Sequence, residues 1–186
     1  MVGNDVIIPK GLIEDLVKPV PANTRYVKCG PVTFGVEFRE LNARVIKENY
    51  GHDVEAMKFF EPMMNIDDIG VTLHVYSTDD SLEHLRFDAF GDKPHLHYHY
   101  ILPDGSHRKL DYDFAACGDM IPWAMRTMVE RLPEMLREAK ATEVADRVDV
   151  DEVQKIAPTI IEMASRMLAD RSAARLDEPR AEPEMT

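Results

Sequence analysis

Three of the seven histidines occupy alternate positions in one short stretch, Pro94-His95-Leu96-His97-Tyr98-His99-Tyr100. If this stretch is a β-strand, successive side chains point to opposite faces, so the three imidazoles share one face. Imidazole titrates near neutral pH and is the commonest metal ligand in proteins. The spacing therefore predicts a strand whose polar face can bind a metal ion or transfer protons.

Carboxylates are expected beside these histidines, on the strand that precedes them. The turn Gly91-Asp92-Lys93-Pro94 joins the two strands. In the simplest hairpin register Asp88 lies opposite His97, and Arg86 lies opposite His99. Directly opposed side chains are about 5 Å apart at Cβ, which is close enough for hydrogen bonding or for shared ligation of a metal.

A second hairpin adds more charged residues to the same face. Pro103-Asp104-Gly105-Ser106 is a strong turn sequence. A loop of odd length, 102–106, keeps the faces of the two strands aligned. The opposed pairs are then His99 with Lys109, His97 with Asp111, and His95 with Asp113, while His74 extends the row from an earlier strand.

Two chemistries suit this cluster. In the first, His95, His97, Asp111 and Asp113 supply nitrogen and oxygen ligands to a divalent metal ion such as Zn²⁺, Mn²⁺, Fe²⁺ or Ni²⁺. In the second, no metal is needed, and His97 acts as a general acid–base oriented by Asp88 or Asp111. A third interpretation is purely structural, because charged cross-strand pairs also stabilise a solvated sheet face.

Other reactive or charged residues carry weaker signals. Cys117 lies just before a predicted helix N-terminus, where the helix dipole would lower its pKa, but a buried structural thiol is the simpler interpretation. Cys29 has no motif around it, and the two cysteines have no metal or redox spacing. Glu37, Arg39 and Glu40 are interpreted as surface charges.

The histidine stretch and the strand before it resemble an uncharacterised bacterial protein family. In that family R-F-D-x-F precedes P-H-Y-H-Y, and here Arg86-Phe87-Asp88-Ala89-Phe90 precedes Pro94-His95-Leu96-His97-Tyr98. The resemblance covers residues 70–140, with Leu96 where a tyrosine is usual, and it implies no known activity. The H-x-H pair is also similar to that of cupins, but the glutamate and the second motif that a cupin requires are missing.

The elements that position the cluster follow from hydrophobic periodicity. Alternation of apolar and polar residues predicts about five strands, at 32–39, 71–76, 85–90, 95–101 and 108–114. Residues 41–50 are ambiguous between helix and strand, and residues 54–69 are predicted to be irregular or one helical turn. The apolar face of the sheet consists of Val71, Leu73, Val75, Leu85, Phe87, Ala89, Leu96, Tyr98, Tyr100, Leu110, Tyr112 and Phe114.

Two main helices are predicted in the C-terminal third. The first is N-capped by Asp119, and Pro133 should kink or split it. The second follows a capping box of Asp149 and Glu152. The predicted fold is α+β, a curved antiparallel β-sheet meander with both helices packed on its apolar face. If the helices instead covered the histidine face, every buried imidazole would need a partner.

Length and charge restrict the protein class. A chain of 186 residues is expected to form one domain over 1–171, with 1–24 as an extension packed on it and 172–186 as a disordered tail. The net charge of -12 argues against nucleic acid and anionic membranes as partners. There is no apolar run of the roughly 20 residues that span a bilayer and no secretory signal, so a cytoplasmic protein is expected.

Two functional classes are consistent with these residues. One is a small enzyme or small-molecule-binding protein that uses the His/Asp cluster, with or without a divalent metal. The other is a non-catalytic interaction or structural module with a solvated histidine-rich face. A homodimer is the expected assembly. The two classes differ in structure, because an enzyme needs its cluster in a concavity shielded from water.

Overall fold

The computed structural model describes residues 6–8, 17–91 and 96–177. It is an α+β fold, as predicted, built on one antiparallel sheet in the order β1-β7-β6-β5-β4-β3-β2. From β2 to β7 each strand pairs with the next one along the chain. β1 pairs with β7 and forms that edge of the sheet. The strands are β1 (Val6–Ile8), β2 (Thr24–Cys29), β3 (Val32–Asn42), β4 (Asp67–Ser77), β5 (Glu83–Phe90), β6 (Leu96–Ile101) and β7 (His107–Asp111).

The sheet has seven strands in the described residues, so the prediction of about five was too low. The additional strands are the two edge strands, β1 and β2. β1 has only three residues, too few to show alternation. β2 is exposed at three of its six positions, including Tyr26 at 51%, and its exposed residues do not alternate with buried ones as in a strand that is recognised from sequence.

One face of the sheet carries the hydrophobic core. Phe34, Leu73 and Phe87 on this face are completely buried, and helices α4 and α6 lie against it. Trp123 of α4 packs against Phe87 with ring centroids 6.3 Å apart. The helices are α1 (Ala43–Tyr50), α2 (Val54–Phe60), α3 (Phe114–Cys117), α4 (Met120–Glu138), α5 (Thr142–Ala145) and α6 (Val150–Asp177).

The helices differ from the prediction at three points. Of the two predicted effects of Pro133, a kink or a split, the split is absent, because helix α4 is continuous from Met120 to Glu138. Leu132 and Leu136 on either side are fully buried, and their packing outweighs the cost of about 3 kcal/mol for an interior proline. Phe114 begins α3 instead of ending a strand and is 43% exposed. Helix α6 extends into the segment 172–186 that was expected to be disordered. No helix within the described ranges is both long and apolar enough to cross a membrane.

The opposite face of the sheet is also covered, by the connection between β3 and β4. The ambiguous residues 41–50 divide between the end of β3 and helix α1, where Asn42 Oδ1 accepts a 3.0 Å hydrogen bond from the Val45 amide. The stretch predicted to be irregular or one helical turn contains the seven-residue helix α2. The amides of Glu55 and Ala56 at its N-terminus donate to Asp53 Oδ1. The polar face is enclosed, since Glu37, His74 and His99 on it are at most 3% exposed.

Candidate metal centre

Asp88, His97 and His99 converge on the enclosed polar face of β5 and β6. The predicted registers are confirmed, with Asp88 opposite His97 and Arg86 opposite His99. Oδ2 of Asp88 lies 3.3 Å from Nε2 of His97 and 3.4 Å from Nε2 of His99. Across the described ranges, these three residues alone bring three ligand atoms within 4.8 Å of one another. We name them the Asp–His–His triad.

The carboxylate of the triad is oriented by the neighbouring strand. Thr72 lies opposite Asp88, and its Oγ1 donates a 2.6 Å hydrogen bond to Oδ1. Burial raises the pKa of a carboxyl group, but here the facing imidazoles of His97 and His99 outweigh it and hold the pKa of Asp88 well below its usual value. Asp88 is therefore a carboxylate whose Oδ2 faces both imidazoles.

His99 is buried, and the hydrogen-bonding capacity of its ring nitrogens is not satisfied. It is 3% exposed, and neither ring nitrogen makes a hydrogen bond. Burial lowers the pKa of His99 to about 4, although the Asp88 carboxylate opposes this shift, so the ring is neutral and can offer a nitrogen lone pair. The ring is wedged between His97 and His107, with both centroid distances 4.8 Å. A buried polar atom without a partner is unusual in a native fold, and a water molecule or an ion is a common explanation.

A second buried polar group lies beside the triad and is satisfied internally. Nδ1 of His74 lies 2.6 Å from Oε1 of Glu83, and its Nε2 lies 3.0 Å from Oε2 of Glu37. Arg86 donates to both oxygens of Glu83, at 2.8 and 2.7 Å, and to the carbonyl of Val17 at 2.8 Å. These contacts fix the polar face beneath the site and leave Arg86 without free donors on that side.

The pKa values of this second group follow from its pairing. Burial disfavours a charged imidazole, but the hydrogen bonds to Glu37 and Glu83 outweigh it and raise the pKa of His74. Burial likewise opposes ionisation of Glu83, yet its hydrogen bonds from His74 and Arg86 lower its pKa to about 2. The pairing therefore favours the charged forms of both His74 and Glu83.

Part of this environment was not predicted from the sequence. Glu37, interpreted as a surface charge, is completely buried, and the side chain of Arg39 is only 14% exposed. The interpretation was wrong because it treated the polar face as solvated. Glu37 lies opposite Thr72, which places it beside the site. Its burial could have been predicted only if the cover over this face had been predicted too.

A cavity of about 280 Å³ adjoins the triad, between the polar face of the sheet and helices α1 and α2. Its charged lining includes Arg39, Lys109 and Asp111 together with the triad. Its apolar lining includes Leu41, Val45, Ile46, Phe59, Phe60 and Met63. The triad thus lies in a concavity, as an enzyme or a small-molecule-binding protein requires.

The other predicted site residues are distributed as follows. Asp111 lies opposite His97, as predicted, and borders the cavity, but it is exposed. Asp113 caps α3, with its Oδ1 accepting a 3.1 Å hydrogen bond from the Ala116 amide. His95 lies outside the described residues. The structure therefore joins His97 to Asp88 and to His99, which was predicted to share the face but not to be a ligand.

The cysteines lie away from this cavity. Cys29 is buried, and burial together with Glu152 and Asp149 raises the pKa of its thiol. Cys117 is the last residue of α3 and is partly buried. Neither thiol lines the cavity.

The comparisons with known proteins give a family and no activity. Neither the curated proteins nor the solved structures contain a significant match to this chain. Residues 26–164 match the family described as "Domain of unknown function (DUF7700)", and this span includes the triad and the sheet strands from β3 to β7. The match agrees with the expectation of an uncharacterised family, while the R-F-D-x-F signature itself stays a prediction. The chain belongs to the DUF7700 family.

Proposed function

We propose that the Asp–His–His triad binds one divalent transition-metal ion, and that the ion and the adjoining cavity act together on a small molecule. The observation that supports this most strongly is His99, a neutral and buried imidazole that faces Asp88 without forming a hydrogen bond. A carboxylate oxygen between two imidazole nitrogens is a donor set suited to a metal ion.

The two carboxylate–imidazole distances in the triad fit a shared ion better than hydrogen bonds. Zinc binds imidazole nitrogen and carboxylate oxygen at about 2.0–2.2 Å, so two such atoms in tetrahedral geometry are about 3.3–3.5 Å apart. The Oδ2–Nε2 distances of 3.3 and 3.4 Å lie in this range. Hydrogen bonds between nitrogen and oxygen are usually about 2.7–3.2 Å long.

The donor set narrows the choice of metal. Two imidazoles and one carboxylate are typical of catalytic zinc sites and of the facial site of non-haem ferrous oxygenases. Zn²⁺ and Fe²⁺ are therefore the first ions to test, ahead of Mn²⁺ and Ni²⁺. With three protein ligands, the remaining coordination positions are available to water or to a substrate.

The residues around such a site would have different roles. A bound ion would lower the pKa of a water molecule or polarise a carbonyl group. Asp88, His97 and His99 would hold the ion, and the α1–α2 cover would limit solvent access. Asp111 lines the cavity from an exposed position opposite His97, where it could exchange protons with solvent.

A metal-free acid–base site is the second candidate, and one contact favours it. His97 Nε2 lies 3.3 Å from the Asp88 carboxylate, and the His97 side chain is 18% exposed. A carboxylate that orients an imidazole is the usual arrangement of a general base. In this case His97 would transfer protons without an ion, and His99 would have only a packing role.

Metal loading distinguishes the two candidates. Untagged protein is stripped with a chelator, incubated with Zn²⁺ or, without oxygen, with Fe²⁺, desalted, and analysed for metal by mass spectrometry. We expect about one equivalent in the wild type and a loss of loading in both His97→Ala and His99→Ala. His52→Ala is the matched control, because His52 is exposed and lies outside the cavity lining.

Folding must be checked in the same samples. Far-UV circular dichroism and urea unfolding identify a histidine variant that loses metal only because it unfolds. Such a variant is then replaced in the test by Asp88→Asn, which keeps the side-chain shape. A wild type that takes up neither ion excludes the metal centre and favours the acid–base site. Equal loading in the wild type and the triad variants would place the metal elsewhere.

A further inference from the structure

We infer that the cavity beside the triad binds a small organic acid, with its carboxylate at Arg39 and Lys109 and its apolar part against α1 and α2. The inference rests on the proposed function, because the same cavity would bring the acid to the metal. It names the class of molecule on which the site would act.

Arg39 has the geometry of an anion-binding residue. Its side chain is 14% exposed, and its guanidinium approaches the carboxylates of Glu37 and Asp88 only to 3.9 Å, beyond hydrogen-bonding distance. Those carboxylates have closer donors, since Glu37 accepts from the Val20 amide at 2.7 Å and Asp88 from Thr72 at 2.6 Å. The planar fork of Arg39 can therefore bind a further carboxylate in a bidentate manner.

Lys109 brings a second positive charge to the same cavity. It lies opposite His99 on β7 and lines the cavity. Within the part of the chain that the structure describes, no carboxylate lies at ion-pairing distance from its ammonium group. A half-buried lysine without a partner gains stability when an anion binds beside it.

Apart from Glu37 and Asp88, which lie 3.9 Å from the Arg39 guanidinium, the charges at the cavity are paired elsewhere or exposed. Glu40 pairs with Arg44 at 2.7 Å on the exposed side of α1, and Asp111 is exposed. Arg86 is held by Glu83. With a divalent ion on Asp88, the floor of the cavity would carry a net positive charge, although the chain as a whole carries -12.

The far wall of the cavity selects for an apolar group on the acid. This wall is aliphatic and aromatic, with Ile46 of α1, Phe59 and Phe60 of α2, and Met63 just after them. The volume of about 280 Å³ lies at the lower end of the roughly 300–1,000 Å³ typical of ligand pockets. The ligand is therefore a small molecule, about the size of an arylacetic acid.

The test compares an acid with its uncharged analogue. Binding of 4-fluorophenylacetate and 4-fluorophenylacetamide to the full chain is followed by ¹⁹F NMR, with the protein both metal-free and zinc-loaded. We expect the acid to bind at least about tenfold more tightly than the amide, and Arg39→Gln or Lys109→Met to weaken the acid about tenfold without affecting the amide. Lys47→Met, on the exposed surface of α1, is the matched control.

The outcomes separate the ligand from the metal. If no ion loads but the acid still binds and depends on Arg39 and Lys109, the acid site stands and the metal centre fails. If zinc loads fully but the acid and the amide bind equally, or neither binds at millimolar concentration, the acid site is wrong and the metal centre stands. Lys109→Met keeps the test decisive if Arg39→Gln unfolds, because Lys109 has no ion pair to lose among the described residues.

Discussion

The Nε2 atom of His99 lies 3.4 Å from Oδ2 of Asp88, and no hydrogen bond forms between them. The two residues are not directly opposed, since Asp88 faces His97 across the hairpin and His99 faces Arg86. Asp88 is thus shared by one imidazole directly across and one on the diagonal. An oxygen at nearly equal distance from two nitrogens suits a common ion better than either hydrogen bond alone.

The hydrogen bond from Thr72 to Asp88 should contribute measurably to stability. Thr72→Val keeps the side-chain shape but removes the donor to a buried carboxylate. Hydrogen bonds to charged groups contribute about 1.5–3 kcal/mol, and we expect the free energy of unfolding in urea to fall by that amount. Thr159→Val, at an exposed position of α6, should change it by less than about 0.5 kcal/mol. Equal effects of the two substitutions would contradict the prediction.

Glu83 should stabilise the fold in a pH-dependent way. Its pKa of about 2 lies below the ordinary glutamate value of 4.5, so its contribution is fully present above about pH 4.5 and is lost as the pH falls toward 2. Glu83→Gln leaves His74 and Arg86 without their shared partner, and breaking a buried pair costs about 3–5 kcal/mol.

Urea unfolding from pH 7 to pH 3 tests this dependence. The difference in unfolding free energy between the wild type and Glu83→Gln should be greatest above pH 5 and should shrink at lower pH. Glu55→Gln on α2, an exposed residue paired with Lys58, is the matched control and should show a small difference throughout. A Glu83 difference that stays constant with pH would mean that the carboxylate is not held ionised by its partners.

The pKa values of two histidines on neighbouring strands should be shifted in opposite directions. Hydrogen bonds to Glu37 and Glu83 outweigh burial and raise the pKa of His74 above 6.5, whereas burial lowers that of His84 against the opposing charge of Asp80. The contribution of His74 to stability is therefore complete below pH 6.5 and is lost as the pH rises through its folded-state pKa.

Heteronuclear NMR of the imidazole rings measures both values in one sample. His74 should still be protonated when His84 has become neutral. Assignment relies on the variants His74→Gln and His84→Gln, each of which removes one set of signals. If the two rings titrate at the same pH, the paired carboxylates do not hold a proton on His74.

The hairpin registers could be predicted from the sequence, and the cover over the site could not. Turn length and the two-residue period of a strand determine which side chains oppose each other, so the pairing of His97 with Asp88 and Asp111 followed directly. The short helices α1 and α2 leave no such signal, because helices of this length depend on packing against the rest of the fold. The burial of Glu37 depends on that cover and was missed for the same reason.

The α1–α2 cover should control access to the cavity, and its N-cap provides a means to test this. Asp53 accepts hydrogen bonds from the Glu55 and Ala56 amides at 2.9 and 3.1 Å, and loss of an N-cap costs about 1 kcal/mol. In Asp53→Ala we expect amide hydrogen exchange in residues 54–60 to accelerate about fivefold. Binding of 4-fluorophenylacetate should weaken, because Phe59 and Phe60 line the cavity, while metal loading on the sheet should not change.

Asp149→Ala is the matched control, since Asp149 accepts a 2.9 Å hydrogen bond from the Asp151 amide at the start of α6, on the other face of the sheet. It should accelerate exchange only at that helix end and leave ligand binding as in the wild type. If Asp53→Ala loosens α2 without affecting the ligand, the apolar part of the acid does not rest on this cover. If both variants weaken binding equally, the effect comes from global stability, and α1 and α2 do not control access to the triad.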